Sequence, residues 1–135
     1  MSEKDPIEEI KQEKIEEMQE SQESGTSAAA PGEPIHVDGK AELTDAVQSY
    51  DVVLADFYAD WCGPCKMLEP VVAEIAAETD AAVAKVDVDA NQQLAAEYGV
   101  QGVPTLVLFA DGEAARKLVG VQDKDSLVQL IQQHG

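Results

Sequence analysis

The chain has 135 residues, of which 27 are Asp or Glu and nine are Lys or Arg, so its formal net charge is −18 at pH 7. A negative charge of this size opposes binding to nucleic acid and to anionic membranes. No apolar run approaches the ~20 residues that a membrane span needs, and the charged N-terminal residues do not resemble a signal peptide. We therefore expect a cytoplasmic protein with neither kind of partner.

The acidic residues are spread over the whole chain. Residues 1–34 contain three Lys and ten Asp or Glu, and residues 35–135 contain six Lys or Arg and seventeen Asp or Glu. Solubility is one consequence. Adaptation to a high-salt cytoplasm is a sharper hypothesis, because at ~1 M salt the Debye length is only about 3 Å and like charges are screened from one another.

The N-terminal extension, residues 1–34, differs in composition from the rest. Asp5 and Pro6 are typical of a helix start, and an apolar stripe favours a helix over residues 6–20. Such a short, charged helix is marginal alone. It is therefore either a solubilising tail or a helix for a partner or for self-association. Residues 21–34 have the composition of a flexible linker.

Residues 35–135 are predicted to form one α/β domain. The predicted strands are 35–37, 52–59, 81–89, 103–109 and 114–119, and the predicted helices are 40–50, 62–78, 91–98 and one that begins at Asp123. Asp111-Gly112 indicates the turn of a hairpin between the last two strands. This order implies a short mixed sheet with helices on both faces.

Three of the four predicted helices carry apolar residues at helical spacing, and those of the last helix are expected to form its buried face. The residues in these stripes are Ala41, Leu43, Ala46 and Val47 in the first, Met67, Leu68, Val71, Val72, Ile75 and Ala76 in the second, and Leu127, Val128, Leu130 and Ile131 in the last.

Both cysteines of the chain, Cys62 and Cys65, lie where strand 52–59 meets helix 62–78. Two thiols at this spacing can close a small disulfide ring, which is the geometry of reversible redox chemistry. Cys62 is the expected nucleophile, because it lies nearer the exposed end of the helix and its free N–H groups. Cys65, one turn into the helix, is placed to resolve a mixed disulfide.

Half of a zinc site is the alternative interpretation of the cysteine pair. It would need two more ligands, and His36 and His134 are remote and lack ligand spacing. A lone pair of this kind in a cytoplasmic protein is more often redox-active. We therefore expect no metal.

Two neighbours of the cysteines also point to redox chemistry. Pro64 makes the ring rigid, and it can also start the helix. Trp61 is the only tryptophan, and we favour an exposed platform beside the disulfide over a core position.

Asp56 is the one charged residue in an apolar strand. Burial raises the pKa of a carboxyl, which suits a general base for the second thiol. Lys85 is its natural partner if strands 52–59 and 81–89 are neighbours. The alternative is a strand-end Asp whose carboxylate is satisfied by backbone donors.

Pro104 opens an apolar strand, a position that tolerates proline. A cis bond between Val103 and Pro104 would expose the backbone of Val103, although composition alone does not favour cis.

The chain resembles the thioredoxin family over residues 35–135. The motifs that carry the resemblance are Asp56-Phe57-Tyr58-Ala59-Asp60-Trp61-Cys62-Gly63-Pro64-Cys65-Lys66, Pro70, Lys85-Val86-Asp87, Val103-Pro104-Thr105, and Gly112 with Gly120. The resemblance implies a thioredoxin fold and a general disulfide reductase that needs no cofactor beyond its own disulfide. It also implies disulfide-containing client proteins, a thioredoxin reductase or equivalent electron donor, and a monomer.

The resemblance assigns a role to each matching residue. Cys62 attacks and Cys65 resolves, Asp56 accepts a proton with Lys85 near it, and Pro104 is a cis-proline that faces the disulfide. The substrate surface comprises Trp61, Gly63, Pro64, Val103, Pro104 and Gly120. Two features depart from the family pattern: Tyr58 stands where many members have a second tryptophan, and residues 1–34 have no counterpart.

Two other functions compete with the reductase. A binding module that clamps a partner would need neither the cysteine pair nor Asp56, so their presence speaks against it. An oxidant or isomerase is disfavoured, because Gly63-Pro64 resembles the reductase members, whereas those enzymes have His before the second cysteine.

Overall fold

The computed structural model describes residues 30–134, and within that range it contains five strands and four helices. The strands are β1 (Ile35–His36), β2 (Val52–Tyr58), β3 (Ala82–Asp87), β4 (Thr105–Ala110) and β5 (Glu113–Val119). The helices are α1 (Lys40–Ser49), α2 (Gly63–Glu78), α3 (Gln92–Glu97) and α4 (Lys124–His134). The helix predicted over residues 6–20 lies outside the described residues, as does most of the predicted linker.

The strands form one mixed sheet in the order β1-β3-β2-β4-β5. Strands β1, β3 and β2 run parallel, whereas β4 is antiparallel to β2 and β5 is antiparallel to β4. Strands β2, β3 and β4 are buried along nearly their whole length, because helices cover both faces of the sheet. The predicted α/β sheet with helices on both faces is confirmed.

Alternation along β2 divides the core into two clusters. Val53, Ala55 and Phe57 point to the face covered by α1 and α3. Val52 and Leu54 point to the face covered by α2 and α4. Asp56 shares this second face, because side chains two residues apart in a strand lie on the same side. The carboxyl of Asp56 therefore points to the side of the sheet on which the cysteine-bearing helix packs.

The buried stripes of the helices are narrower than the sequence pattern predicted. Met67 is 69 % exposed although Leu68 is fully buried, because consecutive residues are about 100° apart around a helix. Ala41 is exposed, while Val128 and Leu130 in α4 are half-buried. The predicted buried face of the last helix is therefore only half-buried at Val128 and Leu130.

Strand β4 begins two residues later than predicted. Its first pair across the sheet is Thr105 with Val119, and Val103 and Pro104 form the connection before it. Proline has no N–H to give to a strand ladder. Val103 and Pro104 therefore lie in a loop at the end of the sheet where β2 leads into the cysteines.

Candidate active site

The two cysteines form a disulfide at the first turn of α2. Cys62 is the N-cap of this helix, and its sulfur accepts a hydrogen bond from the backbone N–H of Cys65 at 3.1 Å. Gly63 and Pro64 are the first two helical residues and are exposed. Their positions follow from local chemistry, because proline suits the first turn, where its missing N–H is not needed.

Residue exposure does not distinguish the two cysteines. Cys62 is 3 % and Cys65 is 2 % exposed in the disulfide form. What differs is their position on the helix. The sulfur of Cys62 accepts a hydrogen bond from a backbone N–H of the first turn, which has no carbonyl acceptor within the helix. Cys65 itself lies within the first turn.

The loop before β4 closes over Cys62. The bond between Val103 and Pro104 is cis, and the carbonyl oxygen of Val103 lies 3.7 Å from Sγ of Cys62. The N–H of Gly120 donates to the carbonyl of Pro104 at 2.8 Å. The structure therefore brings Val103, Pro104 and Gly120, which were predicted to share the substrate surface, to the side of Cys62.

Trp61 is an exposed platform beside the disulfide and not a core residue. It is 71 % exposed, and its indole N–H donates to the Asp89 carboxylate at 2.9 Å. Asp89 was missed in the sequence analysis. It follows β3, and only the packing of β3 beside β2 brings it to Trp61.

Asp56 is deeply buried and only 1 % exposed. Among residues 30–134, neither of its carboxyl oxygens has a hydrogen-bond partner. Burial raises the pKa of Asp56 to about 6; the charge of Lys85 opposes this shift and the charge of Glu69 adds to it. The alternative of a carboxylate satisfied by backbone donors is not what the structure contains.

Lys85 is opposite Asp56 in the parallel register of β2 and β3, as expected for neighbouring strands. Its ammonium, however, forms an ion pair with Glu69, with 3.5 Å between Nζ and Oε2. It also lies 4.4 Å from the centre of the Tyr58 ring, where a cation is attracted by the aromatic face. Glu69 is a second residue that the sequence analysis missed. Nothing in the local sequence marks Glu69 as part of the site, because it occupies an exposed helical position where glutamate is common.

Residues 30–134 contain neither a candidate metal cluster nor a helix that could span a membrane. Within this part of the chain, no group of three or more His, Cys, Asp or Glu side chains is arranged to hold a metal ion. None of the helices in the same range has the length and apolar character needed to cross a bilayer.

Comparison with known proteins agrees with this geometry. The protein-family model described as Thioredoxin matches residues 34–133. The thioredoxin of Chlamydia muridarum is 45 % identical over 101 residues, which cover 74 % of this chain and 98 % of the relative. The thioredoxin of Mycobacterium tuberculosis strain H37Rv is 46 % identical over 97 residues, which cover 70 % of this chain and 84 % of the relative.

Solved structures of similar fold include two thioredoxins. A point mutant of the thioredoxin from Halobacterium salinarum NRC-1 is 63 % identical with a TM-score of 0.77, and the match covers 80 % of this chain and 96 % of that chain. Oxidised mitochondrial thioredoxin 3 from Saccharomyces cerevisiae is 34 % identical with a TM-score of 0.67, covering 73 % and 93 % respectively. The sheet with helices on both faces is thus a thioredoxin fold.

Proposed function

From the premise that the chain belongs to the thioredoxin family and is a dithiol–disulfide oxidoreductase, we propose that it works as a general reductase of protein disulfides. The observation that carries this proposal is the Cys62–Cys65 disulfide at the N-terminus of α2, on the side of the sheet that also holds the buried carboxyl of Asp56. The Gly63-Pro64 pair between the cysteines supports the reducing direction.

Cys62 makes the first attack on the client. In the reduced protein its thiolate is favoured by the N–H of Cys65 and by the positive end of the helix dipole. The Cys62 sulfur forms a bond to one sulfur of the client disulfide, that disulfide breaks, and the first client thiolate leaves. The product is a mixed disulfide between Cys62 and the client.

Cys65 resolves this mixed disulfide. The Asp56 carboxylate accepts the proton of the Cys65 thiol, and the sulfur of Cys65 then attacks that of Cys62. The Cys62–Cys65 bond forms as the bond to the client breaks, so the second client thiolate leaves. Two electrons have then passed from the dithiol to the client. A thioredoxin reductase or an equivalent donor supplies two electrons to restore the dithiol.

The client binds on the surface around Cys62. The exposed face of Trp61 supplies apolar contact, and the loop of Val103 and Pro104 with Gly120 supplies backbone groups at the edge of the disulfide.

The isolated positions of His36 and His134 support a site without metal. We further propose a cytoplasmic monomer without nucleic-acid or membrane partners. The net charge of −18 and the Halobacterium relative support function at high salt.

Reduction of insulin with dithiothreitol as electron donor, in molar salt, tests the reductase proposal. Wild type should turn over rapidly. Cys62→Ser should lower the rate to that of dithiothreitol alone, because the attacking thiol is removed and the remaining Cys65 is buried. Cys65→Ser should also turn over poorly. When it is reduced, freed of dithiothreitol and then mixed with insulin, it should accumulate a covalent complex that non-reducing electrophoresis detects.

Circular dichroism of all three proteins provides the control for folding. Equal residual activity in the two variants, without a trapped complex in Cys65→Ser, would contradict the assignment of attacking and resolving cysteines. A folded wild type that gives no turnover would favour the binding module.

A further inference from the structure

Lys85 lies between two carboxylates that belong to different elements. Asp56 is its partner in the register of β2 and β3, and Glu69 reaches it from α2, four residues after Cys65. The Lys85 ammonium is 3.5 Å from Oε2 of Glu69, while the oxygens of Asp56 have no hydrogen-bond partner in the described part of the chain. The structure therefore contains a lysine that is paired with the outer carboxylate and not with the buried one.

We propose that Glu69 is a positioning residue for resolution: it holds the Lys85 ammonium in an ion pair beside α2 and so keeps it from neutralising the Asp56 carboxylate. This inference rests on the proposed role of Asp56 as the proton acceptor of Cys65. Glu69 acts on Asp56 indirectly, through Lys85 and through its own negative charge, and not by contact with the reacting sulfurs.

The charged and titratable groups around Asp56 come from three elements. Lys85 from β3 favours its ionised form, and Glu69 from α2 disfavours that form. Tyr58 lies two residues along the same strand. On β4 the residue opposite Asp56 is Leu106, which carries no charge. The balance between the ionised and protonated forms of Asp56 therefore depends on one cation, Lys85, and Glu69 determines where that cation lies.

The position of this cation matters for proton transfer. A carboxylate paired closely with an ammonium is a weaker base, whereas a buried carboxylate whose pKa is near 6 is still ionised at neutral pH and accepts a proton more readily. Burial is the first cause of that raised pKa, and the charge of Glu69 contributes to it. Loss of Glu69 should lower the pKa of Asp56 in two ways, because a negative charge disappears and Lys85 becomes free to approach.

Titration of the Asp56 carboxyl by carbon-13 NMR tests the inference without any need for turnover. Wild type, Glu69→Gln and Glu74→Gln are compared as disulfide forms, in the lowest salt in which they remain folded. Glu69→Gln should lower the titration midpoint by on the order of 0.5 pH unit. Glu74→Gln should leave it unchanged. Glu74 is a matched control, because it lies on the same helix, is equally exposed (54 % against 52 %) and also pairs with a lysine, Lys124.

The pH profile of insulin reduction separates this inference from the proposed function. Asp56→Asn should slow reduction near neutral pH. Glu69→Gln should shift the pH profile when it is made in the wild-type protein but not when it is added to Asp56→Asn. If Asp56→Asn reduces insulin with an unaltered profile, the proposed proton acceptor fails, and the inference that rests on it fails too. If Asp56→Asn is slow but the midpoint in Glu69→Gln equals that of wild type, or Glu74→Gln shifts it equally, only the role of Glu69 is overturned.

Discussion

At the scale of single residues, Asp56 is a buried carboxyl whose ionised form lowers the stability of the fold. An isolated carboxylate in an apolar layer is costly, because it loses its hydration without gaining a partner. The pKa of Asp56 in the folded chain is about 6, against an ordinary value of 3.8. Folding therefore favours the protonated form, and the ionised form destabilises the native state.

The sign of the resulting pH dependence follows from proton binding. Between pH 3.8 and about 6 the folded chain holds more protons at this site than the unfolded chain, so this contribution to stability is lost as the pH rises through that window. Asn at position 56 cannot ionise. The free energy of unfolding of Asp56→Asn relative to wild type should therefore rise by on the order of 2–3 kcal/mol between pH 4 and pH 7.5.

Urea unfolding of the disulfide form at a series of pH values measures this difference, and urea adds no ionic strength. The exposed Asp80 provides the control variant Asp80→Asn, which makes the same chemical change at the surface. A constant difference between Asp56→Asn and wild type across the pH range would show that ionisation of the carboxyl does not destabilise the fold.

Gly120 is a position where the backbone conformation favours glycine. Its φ is +91°, which L side chains rarely adopt, yet a Cβ at this position would meet no atom within 4 Å. Gly120→Ala should therefore destabilise the protein by about 1 kcal/mol through backbone strain alone. Gly63 also has open space and lies in the first turn of α2 without a positive φ, so Gly63→Ala should be neutral or stabilising. Equal urea midpoints for the two variants would contradict this explanation.

At the scale of elements, α2 connects the core to the site. One face of the helix packs Leu68, Val72 and Ile75 against the sheet, and its first turn carries the disulfide. Burial of such side chains contributes about 1.5–3 kcal/mol each. The packing of the helix therefore fixes the position of the cysteines relative to Pro104 and Asp56.

Two adjacent residues of α2 test this packing. Leu68→Ala should lower the free energy of unfolding by roughly 2–5 kcal/mol, because it leaves a cavity in a fully buried layer. Met67→Ala should change it by less than about 0.5 kcal/mol, because Met67 is mostly exposed. Both substitutions keep the helix propensity high, so urea midpoints compare burial directly. Similar losses in the two variants would indicate that α2 is positioned by something other than its buried stripe.

At the scale of the whole molecule, charge is the dominant feature. Residues 35–135 carry seventeen Asp or Glu and only six Lys or Arg, so carboxylates greatly outnumber cations. The ion pairs in the described part of the chain include Lys40 with Glu97, Lys85 with Glu69, and Lys124 with both Glu74 and Glu78. Repulsion within this excess of negative charge opposes the compact state.

Stability should therefore rise with salt. Between 0.1 M and 2 M KCl the Debye length falls from about 10 Å to less than 3 Å, and the repulsion is screened. We expect the free energy of unfolding to increase by at least about 1 kcal/mol, which for a domain of this size raises Tm by roughly 4–8 °C. Sucrose at equal osmolality is the control, because it stabilises by exclusion from the surface without screening charge. A Tm that does not respond to KCl, or that responds equally to sucrose, would remove the high-salt hypothesis.

Local patterns in the sequence determined the order of elements and the chemistry of the site. Strand and helix periods, the hairpin turn and the position of Pro64 depend on near neighbours, so they can be recognised without a fold. The cysteine pair depends on a spacing of three residues, and the buried Asp56 stands out because its strand is otherwise apolar. These features were sufficient to predict the mixed sheet, the disulfide and the strand pairing of Asp56 with Lys85.

Only the tertiary structure decided which groups meet across the chain. The contacts of Glu69 with Lys85, Trp61 with Asp89, and Cys62 with Val103 join residues 16, 28 and 41 positions apart. Such contacts depend on strand register and on how each helix lies on the sheet, and no local period encodes them. The physical reason is that the energy of a charge is set by all of its neighbours, so the cation beside Asp56 could be identified from the sequence but its pairing with Glu69 could not.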